Sequence, residues 1–269
     1  MAGEDLRDIL FQSLKEKKFL AAISAQEDGV LSGIQCLQDA CQALGLRIRR
    51  CKKGGDPVHR GDIIAVVEGT PKQMALAEEQ LIGWMAKGSG IATAAAKAKK
   101  EAGKKLRVVS GAWKKMPPPL KHLVRQAVVD GGLCFRITKK PFIYLDKNFI
   151  KILGGLEKAL QSVQGRRKVI RVIQLKSAGR RLLREAVLAG QLGAHIVMID
   201  TGRKEDILEV DRALKEKGLR GRLKIAFGGN IKIEDLKNFK RLPVDVVDIG
   251  KAIVDAPLLD MRMDVLGRG

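Results

Sequence analysis

Three groups of residues late in the chain have the types and spacing for anion chemistry. Asp200 closes the apolar run 196–200, Gly228, Gly229 and Asn230 follow the run 223–227, and Gly250 and Lys251 follow the run 244–249. Glycine lets backbone N–H groups approach an anion more closely than a residue with a Cβ does. A helix-like segment, 232–241, separates the two glycine runs, giving a strand–Gly–helix–strand–Gly unit. In a parallel barrel this unit sets two loops side by side at the carboxyl ends of adjacent strands, a place suited to phosphate. Asp248, next to the last glycine, reads as structural.

The elements that must position these residues follow from periodicity. In the first hundred residues, helical spacing over 6–18 precedes strands at 19–24, 46–52 and 63–68, with a second short strand at 30–33. Ile34–Leu44 reads as a helix stopped by Gly45. Helices over 74–85 and 91–102 are separated by the Lys87-Gly88-Ser89-Gly90 break. Beyond them, strands are expected at 106–110, 133–138, 142–145, 169–175 and 196–200. The helices expected between and after these strands cover 121–130, 149–163, 180–192 and 205–217. Strand and helix alternate repeatedly, so the fold class is α/β. The first hundred residues read as a compact α/β domain that leads into a parallel barrel or sheet. The domains are expected at residues 1–104, sandwich-like, and 105–269, the barrel.

Net charge is +21 (51 − 30), and charges are spread along the chain rather than gathered in a tail. A charged surface, an anionic substrate steered by a positive field, and nucleic acid are the competing explanations. Aromatic residues make up only 4%, too few for base-stacking platforms, which weighs against nucleic acid as a partner. There is no apolar run long enough to span a membrane, and the start of the chain, MAGEDLRDILFQ, lacks a signal-peptide core. A cytoplasmic protein with no membrane partner is expected. Cys36, Cys41, Cys51 and Cys134 form no CxxC pair and no zinc-like spacing with His59, His122 or His195, so they read as reduced thiols.

Several stretches resemble one family. EDGVLSG (27–33), GDIIAVVEG (61–69) and AEEQLIGWMAKGSGIAT (77–93), with its Ser-Gly-Ile-Ala-Thr ending, are similar to quinolinate phosphoribosyltransferases. So are Gly131-Gly132, Ile199-Asp200, Gly228-Gly229, and Gly250 followed by Ala256-Pro257-Leu258-Leu259-Asp260. The likeness runs from about residue 20 to 265. It implies transfer of a phosphoribosyl group from phosphoribosyl pyrophosphate to quinolinate, giving nicotinate mononucleotide, carbon dioxide and pyrophosphate in NAD synthesis. It further implies an incomplete parallel α/β barrel with a smaller N-terminal α/β domain, a magnesium cofactor, and a homodimer or larger homo-oligomer whose active sites are shared between subunits.

Carried over position by position, the resemblance keeps the phosphate side and changes the other. Asp200 matches an acid that supports the ribose, or metal through water, and Gly228, Gly229, Asn230 and Gly250 match phosphate loops. On the acceptor side, the family's Arg-Lys pair becomes Trp113-Lys114 with Lys115 adjacent, and its His-Arg pair becomes Phe135-Arg136. The Lys-Asp-Asn-His run becomes Asp146-Lys147-Asn148-Phe149, the arginine lent to a neighbouring subunit becomes Lys87, and a strand glutamate has Gln174 as its nearest counterpart. Asp200, Lys114 and Lys147 are therefore the expected catalytic residues. Lys87, Lys115, Arg136, Gln174, Gly228, Gly229, Asn230 and Gly250 are expected to bind substrate. Phe135, Trp113 and Phe149 replace polar residues of the family and point to a different aromatic acid acceptor, larger, more apolar or with fewer carboxylates. A non-catalytic protein that binds anions or nucleic acid is the third reading.

Overall fold

The structure is a computed structural model and describes residues 5–166 and 168–268; the first four residues of the acidic N-terminal stretch lie outside it. In chain order the first strands are Phe19–Ala25 (β1), Gly29–Val30 (β2), Arg47–Cys51 (β3), Pro57–Val58 (β4) and Ile63–Gly69 (β5). Next come Arg107–Val109 (β6), Phe142–Leu145 (β7), Ile170–Leu175 (β8) and Ile196–Ile199 (β9). Lys224–Gly228 (β10), Val246–Asp248 (β11) and Met261–Arg268 (β12) complete the set. The chain forms two compact units. One contains residues 1–97, 115–133 and 254–269, the other residues 98–114 and 134–253.

The first unit holds an antiparallel sheet in the order β12-β1-β5-β3. Its core gathers Ile23, Leu31, Leu37, Ile64, Val67, Leu81 and Met85, each fully buried. β12 was not expected from the sequence, although Met261, Met263 and Val265 alternate as a half-buried strand should. Met261 and Met263 join this core. Residues 6–18 give only a short helix, Leu6–Leu10, and a single 3-10 turn, Gln12–Leu14, rather than a continuous helix.

The expected break at Lys87-Gly88-Ser89-Gly90 does not occur. One helix runs without interruption from Pro71 to Ala102. Its glycines serve packing instead: a Cβ on Gly90 would fall 1.9 Å from the Pro257 carbonyl oxygen, a clash no side chain could relieve. The polar residues of Ser-Gly-Ile-Ala-Thr act as clips. Ser89 Oγ accepts from Ser32 N at 2.9 Å and donates to Ser32 O at 3.2 Å. Thr93 Oγ1 accepts from Val30 N at 2.9 Å while donating to Ser89 O at 2.7 Å. The motif thus satisfies the backbone of Val30 and Ser32, while Leu31 pairs with Gly55 and Asp56; a buried backbone group left unmet costs about 1–3 kcal/mol.

The second unit is built on six parallel strands in the order β6-β11-β10-β9-β8-β7. The expected strand 133–138 reduces to a single parallel bridge from Cys134 to Val109, because only that residue reaches the edge of β6. Val109, Val172, Met198, Ala226 and Val246 share one interior cluster with Ile137, Phe142 and Tyr144. Residues from both ends of the strand ladder meet in this cluster, so the sheet is curled into an incomplete α/β barrel. The helices lie where periodicity puts them at Gly179–Gln191 and Glu205–Glu216. The expected helix 149–163 divides instead into Lys147–Ile152 and Leu156–Gln161, parted at Gly154-Gly155. Residues 232–241 form a 3-10 turn and one short helix, Leu236–Phe239, whose buried Phe239 packs on Phe227 at 5.5 Å between ring centres.

Candidate active site

A strand alternates its side chains, so residues two apart along β6–β11 point the same way. Starting from the interior residues Tyr144, Val172, Met198, Ala226, Val246 and Val109, this step brings Asp146, Gln174, Asp200, Gly228, Asp248 and Gly111 to the carboxyl end of the barrel. The site is therefore a staggered layer at the strand ends: Gly228 lies level with Asp248, whereas Gln174 lies level with Met198, one step before Asp200.

Asp200 is its centre. Its Oδ2 accepts a hydrogen bond from Gln174 Nε2 at 2.7 Å and an ion pair from Lys176 Nζ at 3.0 Å. The other oxygen, Oδ1, faces the glycine loop, 3.5 Å from where a Cβ on Gly229 would sit. Gln174 is fixed at both ends of its amide, because its Oε1 accepts from Lys147 N at 3.2 Å. A hydrogen bond of this kind to a charged group contributes about 1.5–3 kcal/mol. The Lys176 pair is partly exposed, with side chains 46% and 26% accessible, and contributes about 0–1 kcal/mol. Its importance is the placement of a cation, not stability.

Gly229 has φ +108°, and its missing Cβ would lie 3.0 Å from Gly202 N. Both the conformation and the space demand glycine. Asn230 follows with φ +48°, the one left-handed residue other than glycine among the described residues. Asparagine tolerates this region better than most side chains. The loop therefore turns tightly over Asp200, with backbone available to an anion. Gly250 lies on the adjacent loop, where a Cβ would meet Ala112 at an ordinary 3.5 Å. Asp248 accepts from Gly111 N at 2.9 Å and so holds the loop after β6, a structural role as expected.

The residues expected on the acceptor side include an aromatic pair. Trp113 donates its indole N–H to Phe135 O at 3.0 Å, and the two rings meet edge to face at 6.3 Å. Lys114 Nζ lies 4.6 Å from the Tyr144 ring centre, and the Arg136 guanidinium lies 5.8 Å from that of Phe135 and 6.0 Å from that of Phe142. Stacking on rings orients these cations at about 0.5–2 kcal/mol each. Burial pushes the Tyr144 phenol far above its ordinary range, and Asp248, Asp200 and Asp146 push it further. It therefore stays neutral.

Of the expected residues, Asp200, Gln174, Gly228 and Gly229 are in direct mutual proximity, with the backbone of Lys147 tied to Gln174. Lys147 meets Gln174 through its backbone N–H, and its side chain is exposed. Asp146 caps the helix Lys147–Ile152, accepting from Asn148 N and Phe149 N, which accounts for the shifted Asp-Lys-Asn-Phe run. Lys87 and Lys115 belong to the first compact unit. There Lys87 donates to Ala256 O at 2.9 Å. Lys176 and Tyr144 were not singled out from sequence, although Lys176 stands two positions beyond Gln174 on the same face.

The expected magnesium can be tested against these donors. Hard divalent cations take several oxygen ligands, usually carboxylates and water. No group of three His, Cys, Asp or Glu that could hold a metal ion occurs among the described residues. Of the three carboxylates in this layer, Asp200 carries an ammonium and an amide on one oxygen, Asp146 caps a helix and Asp248 accepts from Gly111 N. This donor set does not fit a divalent cation held by the protein.

Two family models match the chain: the quinolinate phosphoribosyl transferase N-terminal domain over residues 8–89 and its C-terminal domain over 91–264. A probable carboxylating nicotinate-nucleotide pyrophosphorylase of Archaeoglobus fulgidus is 28% identical over 256 residues, covering 94% of this chain and 97% of that protein. A protein of the same description from Methanothermobacter thermautotrophicus is 26% identical, covering 99% and 96%. The crystal structure of a nicotinate-nucleotide pyrophosphorylase from Pyrococcus furiosus superposes with a TM-score of 0.78 at 25% identity, covering 98% of this chain and 73% of that one.

Proposed function

The chain belongs to the quinolinate phosphoribosyl transferase family, and from that premise we propose that it joins phosphoribosyl pyrophosphate to quinolinate, yielding nicotinate mononucleotide, pyrophosphate and carbon dioxide for NAD biosynthesis. The observation that carries this reading is Asp200 facing the Gly228-Gly229 loop at the carboxyl end of the parallel strands. The pyridine nitrogen bonds to the anomeric carbon as pyrophosphate departs. The carboxylate beside that nitrogen then leaves as carbon dioxide, and a proton takes its place on the ring. Backbone N–H groups of the glycine loops bind phosphate oxygens. Asp200 accepts from ribose hydroxyls and offsets the positive charge that builds on the sugar. Lys114 and Arg136, held on aromatic faces, pair with carboxylates of the acceptor. No covalent nucleophile is required.

The same reading carries a cytoplasmic homo-oligomer with active sites shared between subunits, to which Lys87 contributes; both features rest on the family likeness. A second reading, a different aromatic acid acceptor, is favoured by the Trp113–Phe135 wall standing where the family places polar residues. Incubating purified protein with the phosphoribosyl donor and quinolinate, and measuring nicotinate mononucleotide by chromatography, tests the first reading. Donor binding without product from quinolinate would move the proposal to another aromatic acid.

A further inference from the structure

Asp200 is bounded on one side by cationic and amide donors and on the other by the glycine loop. Lys176 Nζ and Gln174 Nε2 both meet Oδ2, at 3.0 and 2.7 Å, leaving Oδ1 toward Gly229. Gln174 is uncharged and held at both ends, so it adds no second negative charge to attract a divalent cation. An ammonium has three donors. Asp200 is the only partner of the Lys176 ammonium among the described residues, and the side chain is 46% accessible. Its remaining donors can therefore face a ligand while Asp200 keeps the group in place.

We propose that Lys176 is the built-in cation of the phosphoribosyl site, so that the donor binds this chain without a divalent metal. The inference rests on the function proposed above, since it takes that reading's donor as ligand. A phosphorylated sugar brings several negative charges beside Asp200, and a positive group must lie between the two. Lys176 already occupies that position, attached to the carboxylate that would otherwise repel the ligand. Lysine suits the task as a compact point charge on a flexible stem, able to shift from carboxylate toward phosphate as the ligand enters.

Calorimetric titration of the full chain with phosphoribosyl pyrophosphate tests this, in excess chelator and in excess magnesium. The expected affinities agree within about threefold, since the cation that matters is covalently present. For Lys176→Gln, binding in chelator should weaken at least tenfold, about 1.4 kcal/mol, and magnesium should recover most of the loss. Lys176→Arg, which keeps the charge, should bind in chelator nearly as the parent does, and this separates loss of charge from loss of folding. Donor binding that requires magnesium in the parent chain overturns the inference and leaves the proposed function standing. Equal binding by Lys176→Gln and the parent in chelator also overturns it. Absence of donor binding in both buffers removes the proposed function together with the inference.

Discussion

Gly90→Ala and Gly83→Ala are the same substitution in the same helix, yet the structure requires opposite outcomes. The Cβ added at Gly90 would lie 1.9 Å from Pro257 O and 3.0 Å from its carbonyl carbon, and an ordinary contact begins at 3.4 Å. The helix or the 256–258 segment must then retreat by about 1.5 Å. Overpacking of this kind costs about 1–3 kcal/mol, toward the upper end where the obstacle is backbone. Alanine's better helix propensity returns about 1 kcal/mol. The net expectation is a loss of about 2 kcal/mol. At Gly83 the added Cβ meets nothing within 4 Å and the residue is exposed, so only the propensity gain of about 1 kcal/mol remains. Urea denaturation followed by far-ultraviolet circular dichroism reads both as midpoint shifts at constant slope. Two shifts of the same sign would refute the close packing of the Ser-Gly-Ile-Ala-Thr helix on Pro257.

Other expectations concern the site and its titrating groups. Gly229→Ala, with φ +108° and backbone 3.0 Å away, should weaken binding of the phosphoribosyl donor at least tenfold in a calorimetric titration while barely moving that of quinolinate. Tyr144 is the single tyrosine of the chain, so the tyrosinate absorbance reports it alone; no ionisation should appear as pH rises through the ordinary value of about 10. His195 is held below its ordinary value by burial and by Arg171, and its Nδ1 accepts from Arg171 N at 3.0 Å. The unfolded chain therefore binds the extra proton first. The contribution of His195 to stability should be present above about pH 6.5 and decline as pH falls through that value, with the histidine's proton resonance titrating lower than a free imidazole.

Local features of the sequence were legible where one residue's neighbours along the chain decide its role. Gly228 and Gly229 stand at a strand end, where type and position suffice to suggest a loop; Asp200 was singled out through the family resemblance. The alternation of strand and helix fixed the α/β class for the same reason. Features that depend on distant partners were not legible. Gly88 and Gly90 read as a helix break because glycine usually is one, and only the approach of Gly33 and Leu123 to Gly88 and of Pro257 to Gly90 reveals them as packing residues. β12 pairs with β1 from the far end of the chain, so its alternating Met261, Met263 and Val265 pointed to no particular sheet. Lys176 acquires meaning only through Asp200 on the next strand, and Tyr144 only through three carboxylates brought over it by separate strands.

The central claim is that Asp200, set between Lys176, Gln174 and the glycine loop, serves phosphoribosyl transfer to quinolinate. Initial rates of nicotinate mononucleotide formation, measured for the parent chain and for Asp200→Asn under identical conditions, test it most directly. The isosteric change keeps the shape of the side chain and removes the charge that offsets the developing positive sugar. It should lower kcat by about 10²–10³-fold, the range for loss of one transition-state electrostatic contact, with the urea midpoint close to that of the parent. Equal rates in the two proteins, or no product from the parent chain, would contradict the account.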